Sequence, residues 1–480
     1  MGIEEREIRL KEAKLRRVRT LRIRIAVVIA VILLIIAACA AYFSKNSTAS
    51  KETSAQKQTE KESSAQKQSE KDLTDAELLQ NYYDAFLSEN GLSAAKKDIS
   101  YAEWFYENYP AETVNGIIEL LKSNTLDDSS FYQFTGESIH VSSDRYQEVI
   151  TADNRIFERS GVTSGEAMIT LAGDVCLEED KFVLDYYDKV NDLTKCISPD
   201  LLEIMNSSDV MYLNTEFCIS DRGTAQEDKS YTYRAKPERV SLLTEMGADL
   251  VSLSNDHIYD YGPDAMMDTC DLLIEAEIAY IGGGKNLSDA ERPVYFIVNG
   301  IKIGFVGASN AEKTISTPDA GENSPGIISA YDTASYNAII QNASKNCDYL
   351  IAYIHWGSAE ETNNMNDQQK ANGREFLASG ADIVIGGHPH YLQGMEYVDG
   401  KPIVYSLGDF WFDSDKRYSE LLTLKINIDG LQEMNIIPCQ MADSKTQYIS
   451  NVKEQEEYFT FLEEISVNAA ISSEGVVTPK

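Results

Sequence analysis

From about residue 166 the chain repeats one pattern: a short apolar run followed by a polar loop rich in Gly, Asn, Asp or His. Met168–Ala172 stops at Gly173-Asp174, Val210–Leu213 at Asn214-Thr215-Glu216, and Leu250–Leu253 at Ser254-Asn255-Asp256-His257. Leu350–Ile354 stops at His355-Trp356-Gly357, and Ile383–Ile385 at Gly386-Gly387-His388-Pro389-His390. Ala279–Ile281 is a further run of the same kind. Runs this short and apolar read as buried strands joined by helical crossovers. Two hairpins are interleaved: Val294–Val298 with Lys302–Val306 through Asn299-Gly300, and Glu396–Val398 with Ile403–Ser406 through Asp399-Gly400. Further strands are expected near Leu421–Ile428 and Met434–Pro438. The expected body, residues 166–445, is a mixed α/β sandwich.

In open α/β sheets, ligands bind beyond the carboxyl ends of the strands. The polar loops therefore point to one rim. The chain has only 5 histidines, and His257, His355, His388 and His390 all lie in these loops. A lone strand-end histidine is more often a satisfied polar residue than a ligand. Four that converge with Asp174, Glu216 and Asp256 point instead to a metal site. Mixed imidazole and carboxylate ligation suits Mn, Fe or Zn better than Mg or Ca. So many ligands exceed one tetrahedral site and point to two divalent ions. Two cations roughly 3.5–4 Å apart activate a bridging water and stabilise both oxygens of an in-line phosphoryl displacement.

The remainder of the chain sets topology. Lys+Arg number 43 against 77 Asp+Glu, a formal net charge of −34, which argues against nucleic-acid binding. Residues 1–24 nevertheless hold 9 basic and 4 acidic residues. Next comes Ile25–Phe43, 19 residues without a charge, the length a helix needs to cross a ~30 Å hydrocarbon core. The expected arrangement is a single-pass anchor with residues 1–24 cytoplasmic and the acidic body outside the cell membrane. A cleaved signal peptide is the alternative, and Ile36-Ala37-Ala38-Cys39 resembles a lipoprotein processing box. Residues 44–72 contain a tandem decapeptide, KETSAQKQTE then KESSAQKQSE, without large apolar side chains, and read as a disordered spacer. Residues 73–165 are expected to be mainly helical, punctuated by Gly91 and Pro110, and residues 446–480 to form a helix and tail. The seven cysteines show no C-x-x-C spacing and read as small buried hydrophobes.

The ordered motifs G-D, N-x-E, S-N-x-H-x-x-D-Y-G, H-W-G, G-x-H-P-H and Y-S-L-G-x-F resemble the bacterial capsule-synthesis CapA family. That family includes the PgsA-type component of poly-γ-glutamate synthesis, and the resemblance covers about residues 166–440. It implies a four-layer α/β/β/α sandwich similar to calcineurin-like metallophosphoesterases. It also implies a membrane-tethered role in synthesis or export of an anionic capsular polymer, with polymer-synthase subunits as partners. By the same resemblance Asp174, Glu216, Asp256, His355, His388 and His390 are metal ligands, and His257 is the acid or transition-state donor. Asn214 and Asn255 are substrate-contact candidates. Arg234, in YTYRAKP with Lys236, meets an anionic group or lies on the surface; Trp356 walls the pocket or packs. A non-catalytic scaffold subunit and a general extracellular phosphoesterase are the other readings. The chain departs from the pattern at Asp256, where the family usually has Asn, at Gly387, where many members have His, and at Asp409, where many have Asn. Asp174 is followed by Val175-Cys176, so the phosphoesterase D-x-H signature is incomplete.

Overall fold

The computed structural model describes residues 73–480 apart from 95, 180, 228, 312–316 and 360–361. The chain divides into two units, Met1–Thr74 and Asp75–Lys480. The expected basic tail, anchor, Cys39 and decapeptide spacer lie outside the described residues. Among the described residues, no helix is long and apolar enough to cross a membrane.

The second unit is mixed α/β, built on two large sheets. Among the described residues the first sheet has seven strands in the order Ile156–Arg159, Val294–Val298, Ile301–Ser309, Tyr349–His355, Ile383–Gly387, Lys401–Leu407, Leu392–Val398. The second has ten among the described residues, with Arg417–Asn427, Ala167–Val175, Val210–Thr215, Leu250–Ser252 and Ala279–Ile281 running from its middle to one edge. Continuous apolar stretches such as Leu350–Ile354 suit strands buried on both faces, and the Tyr349–His355 strand is buried along its whole length. The two tight turns form as their sequences dictate. Asn299 and Gly300 have φ of 50° and 77°, and Asp399 and Gly400 have 50° and 82°. Such paired positive φ values match the right-handed twist of the flanking strands and are tolerated best by Asn, Asp and Gly.

One apolar layer joins the sheets. Ile169, Leu171, Tyr212, Leu422 and Leu424 of the ten-stranded sheet pack with Phe296, Ile303, Ile351, Tyr353 and Ile385 of the seven-stranded one. Outside the ten-stranded sheet lie helices Phe182–Val190, Pro199–Ser207, Val240–Glu245 and Pro263–Glu275, buried through Leu184, Leu201, Leu243 and Leu273. Outside the seven-stranded sheet lie Thr333–Ser344 and Asp367–Ala378, buried through Tyr336, Ile340 and Phe376. The layers therefore run helix, sheet, sheet, helix.

Residues 75–147 hold five helices with an aromatic core of their own, in which Tyr83 and Tyr101 stack at 3.9 Å between ring centroids. They attach to the seven-stranded sheet through the Tyr132 hydroxyl, which donates to the Asn299 carbonyl at 2.6 Å, and through a 2.5 Å Lys302–Asp144 ion pair. Two stretches carry strands beyond the sequence expectation. Ile156–Arg159 extends the seven-stranded sheet, and after helix Val452–Glu464 the strands Ala469–Ile471 and Val476–Pro479 extend the ten-stranded one. Each has three or four residues, too few for an apolar alternation to stand out.

Register then positions the rim. Asp409 pairs with Asp174, Asp174 with Asn214, and Asn214 with Ser252, a lateral row across the ten-stranded sheet. Ser309, His355 and Gly387 form the corresponding row in the other sheet. A Cβ on Gly173 would collide with the Gly408 carbonyl oxygen, a backbone atom with no room to retreat. Gly173→Ala is expected to cost about 1–3 kcal/mol, read as a lower denaturant midpoint. A second consequence concerns Glu420, buried beside Tyr458, whose hydroxyl donates to Oε2 at 3.0 Å while Oε1 has no partner. Burial pushes this carboxyl from 4.5 up to about 8. Between those values the native chain keeps a proton that the unfolded chain has lost, so stability falls as pH rises through the window. Glu420→Gln is expected to remove that loss, a difference of a few kcal/mol at pH 8.5 that vanishes near pH 4, measured by thermal melts across pH.

Candidate metal centre

The two register rows face each other at the carboxyl ends of the strands and bring their side chains into two contiguous groups. In the first, ligand atoms of Glu216, Asp256, His355 and His388 all lie within 4.8 Å of one another, and all four residues are buried. Asp256 Oδ1 is 3.2 Å from His355 Nε2 and 3.5 Å from His388 Nδ1. The two ring nitrogens are themselves 3.2 Å apart, and Glu216 Oε2 lies 3.8 Å from His355 Nε2. The second group joins Asp174, His390 and Asp409. His390 Nδ1 is 2.8 Å from Asp409 Oδ1, while its Nε2 faces Glu216 Oε1 at 3.7 Å, so the groups adjoin through Glu216.

Both histidines of G-x-H-P-H hold strained backbone, with φ of 96° at His388 and 61° at His390. Such conformations in side-chain-bearing residues cluster at functional sites, where surrounding structure holds them. The His388 amide donates to Asp174 Oδ2 at 3.2 Å, and Asn214 donates to Asp174 Oδ1 at 2.7 Å and to Glu216 Oε2 at 3.3 Å. Asn255 donates to the Thr215 carbonyl at 2.8 Å and to Asn214 Oδ1 at 3.2 Å. Asn214 and Asn255 thus brace the carboxylates from behind.

His257 stands at the edge of the first group. Its Nδ1–H donates to Asp260 at 2.7 Å, which leaves Nε2 facing Asp256 Oδ2 at 3.4 Å and Glu216 Oε1 at 4.0 Å. Asp260 also accepts from Lys229 Nζ at 2.7 Å, and the same ammonium lies 3.5 Å from Asp256 Oδ2. Two predicted site residues lie apart from the cluster. Trp356 packs into the outer core, stacked on Tyr405 and donating to that residue's carbonyl at 2.8 Å. Arg234 stacks on Tyr261, 4.0 Å from the ring centroid. Residues that the motif reading left without a role are Asp409, Asp260, Lys229, Tyr353 and Arg417. Asp260 carried a signal, because its position three residues after His257 suits contact within one turn. Arg417 carried none.

Buried charge dominates the electrostatics. Burial first, then Asp174, Asp256 and Asp409, push the Glu216 carboxyl well above its usual range. Burial takes Asp174 up to about 6 and holds His355 down at about 3, the neutral form that can ligate a metal. Against burial, His257, His355 and His388 hold Asp256 well below the carboxylate range. His390, also against burial, is raised to about 9 by Asp409. Two buried atoms of the first group, Glu216 Oε1 and His388 Nε2, have no hydrogen-bond partner. Orphaned, mutually repelling donors of mixed imidazole and carboxylate type fit a divalent cation.

The Gly387 departure has a steric basis, because a Cβ there would run into the Tyr353 hydroxyl and sit 3.0 Å from Asp174 Oδ1. The same hydroxyl lies 3.0 Å from His355 Nδ1, where it fixes the ring. Arg417 contacts Asp409 and lies 3.0 Å from Asp413, supplying positive charge beside the second group.

Residues 168–414, which hold both groups, match the model described as "Bacterial capsule synthesis protein PGA_cap", and the chain is a member of that bacterial capsule synthesis protein family. Among relatives, the "PGA biosynthesis protein CapA" of Bacillus subtilis is 30% identical over 246 residues, half of this chain and 64% of that protein. The "Capsule biosynthesis protein CapA" of Bacillus anthracis is 27% identical over 256 residues, 51% of this chain and 61% of that protein. A Mycobacterium tuberculosis protein named "Probable polyglutamine synthesis accessory protein" is 28% identical over 254 residues, 49% of this chain and 65% of that one. The matches thus span just under two thirds of each relative.

Metal loading offers a direct check on the first group. Mn, Fe or Zn is expected to raise the Tm of the wild-type chain, while Glu216→Gln abolishes the rise and brings bound metal to background by elemental analysis.

Proposed function

We propose that this protein acts outside the cell, anchored to the membrane through Ile25–Phe43, in synthesis or export of an anionic capsular polymer of the poly-γ-glutamate type. In this reading it works beside polymer-synthase subunits and carries a divalent-metal site in a metallophosphoesterase-like fold. The observation that carries the metal site is the buried group of Glu216, Asp256, His355 and His388, with the unpartnered Glu216 Oε1 and His388 Nε2 inside it. Family membership and the relatives' names support the polymer. A bound divalent ion there supplies Lewis acidity and lowers the pKa of a bound water. His257, oriented by Asp260, presents Nε2 to the same space and can give or take a proton there. Asn214 holds Asp174 and Glu216 in place, and Lys229 offsets the charge that Asp256 adds where the family pattern has Asn.

A binding subunit without turnover is the second reading. The second group favours it, because Asp409 there is already paired with Arg417 and His390, and Gly387 supplies no ligand. A phosphomonoester and phosphodiester panel on the metal-loaded chain separates the two. Hydrolysis lost in His257→Ala and His390→Ala ends the binding-only reading; metal binding without turnover ends the hydrolase reading.

The net charge of −34 repels a polyanion unless cations bridge it. Poly-γ-glutamate binding is therefore expected to require divalent metal and to weaken at least about tenfold in EDTA. Binding indifferent to chelation would sink the bridging role.

A further inference from the structure

Beside the metal centre, on the same rim, lies a cavity of about 240 Å³ with an unusual lining. Asn310, Asn366, Gln368, Gln369 and Asn372 surround it with Tyr331, so carboxamides dominate, and among the described residues no charged side chain lines it. In a chain with 77 acidic residues, a rim cavity lined by five carboxamides is a specific feature.

The cavity is tied to the metal centre. Its wall begins at Gly357, two residues after His355. The backbone N–H groups of Asn310 and Ala311 donate to the His355 carbonyl at 2.8 and 3.0 Å, and Ser309 Oγ adds a bond to that oxygen at 3.2 Å. Tyr331 also lines the small adjoining cavity that contains Asp256. The amides are preorganised. Gln368 donates to Asn372 Oδ1 at 2.6 Å, Gln369 donates to Gln393 Oε1 at 2.8 Å, and Asn366 caps the Asp367–Ala378 helix through the Gln369 amide. Gly357 has φ of 90°, and a Cβ there would lie 2.9 Å from Gln369 Nε2, so glycine lets that amide close against the wall.

We propose that this cavity is a subsite for the backbone amide links of a carboxylate-bearing polyamide. The inference rests on the polymer reading above and names which part of the polymer is recognised. A carboxamide offers both N–H donors and a C=O acceptor, which match the acceptor and donor of an amide link. Hydroxyl-rich sugars are served as well or better by carboxylate acceptors, which this lining lacks. The neutral amides of the described lining would let the ligand's own carboxylates pass without repulsion toward a cation held by the neighbouring group.

The test uses the full-length, metal-loaded chain and three polymers of matched charge number: poly-γ-glutamate, polyacrylate with carboxylates but no amide, and alginate as a polyuronate. The wild type is expected to bind poly-γ-glutamate about tenfold more tightly than polyacrylate. Gln368→Met and Asn310→Leu are expected to erase that preference while leaving polyacrylate affinity and metal content unchanged. Gln368 is exposed, so its variant alone carries the test if Asn310→Leu fails to fold. Equal wild-type affinity for polyamide and polyacrylate, or a preference that survives both variants, overturns the subsite and leaves the metal-bridged polymer reading intact. A preference for alginate lost in the variants makes the cavity a sugar site and also overturns it. Absence of binding to all three polymers removes the subsite together with the polymer reading.

Discussion

The apolar layer between the two sheets is the constraint on which the site depends. Glu216 and Asp256 come from one sheet and His355 and His388 from the other, so the first ligand group exists only while the sheets stay face to face. The same holds for the second group, where Asp174 and Asp409 meet His390. Strand register adds a lateral requirement, because a slip of one residue would turn a ligand from the rim into the opposite face. Packing of Tyr212 against Tyr353, with ring centroids 5.4 Å apart, lies directly beneath the site and belongs to both demands. Stability and function are thus coupled through the same side chains.

Charge explains why the cluster needs help. Two carboxylates 4 Å apart repel by about 4 kcal/mol at an effective dielectric near 20. Burial first, and then the three carboxylates that Glu216 faces, raise its carboxyl pKa. Lys229, Arg417 and the His390–Asp409 pair relieve part of that repulsion from the flanks. A cation entering the first group would displace the proton that Glu216 retains, so metal uptake there would be tied to proton release.

Much of this was readable before the structure. Motifs at strand ends located the rim, because a strand that stops in a polar loop has few other reasons to gather histidines. The Asn-Gly and Asp-Gly turns were equally plain, since their backbone needs are local. Supporting residues were hidden for a physical reason: Arg417 reaches Asp409 from the next strand, eight positions on, and Lys229 reaches Asp260 from a loop 31 positions away. Neither distance leaves a trace in local spacing. Trp356 shows the converse, since a residue beside a ligand in sequence points to the opposite face of its strand and packs with Tyr405 and Phe376.

The buried thiols have a consequence for how the chain matures. Cys176, Cys196, Cys218, Cys270, Cys347 and Cys439 are all free and buried. Burial pushes each thiol up, to about 11 at Cys196 and about 12 at Cys218 and Cys270, so little reactive thiolate forms. The described body therefore offers oxidants little to attack. The six thiols thus serve as small apolar fillers, and the packing around them is what keeps them out of reach.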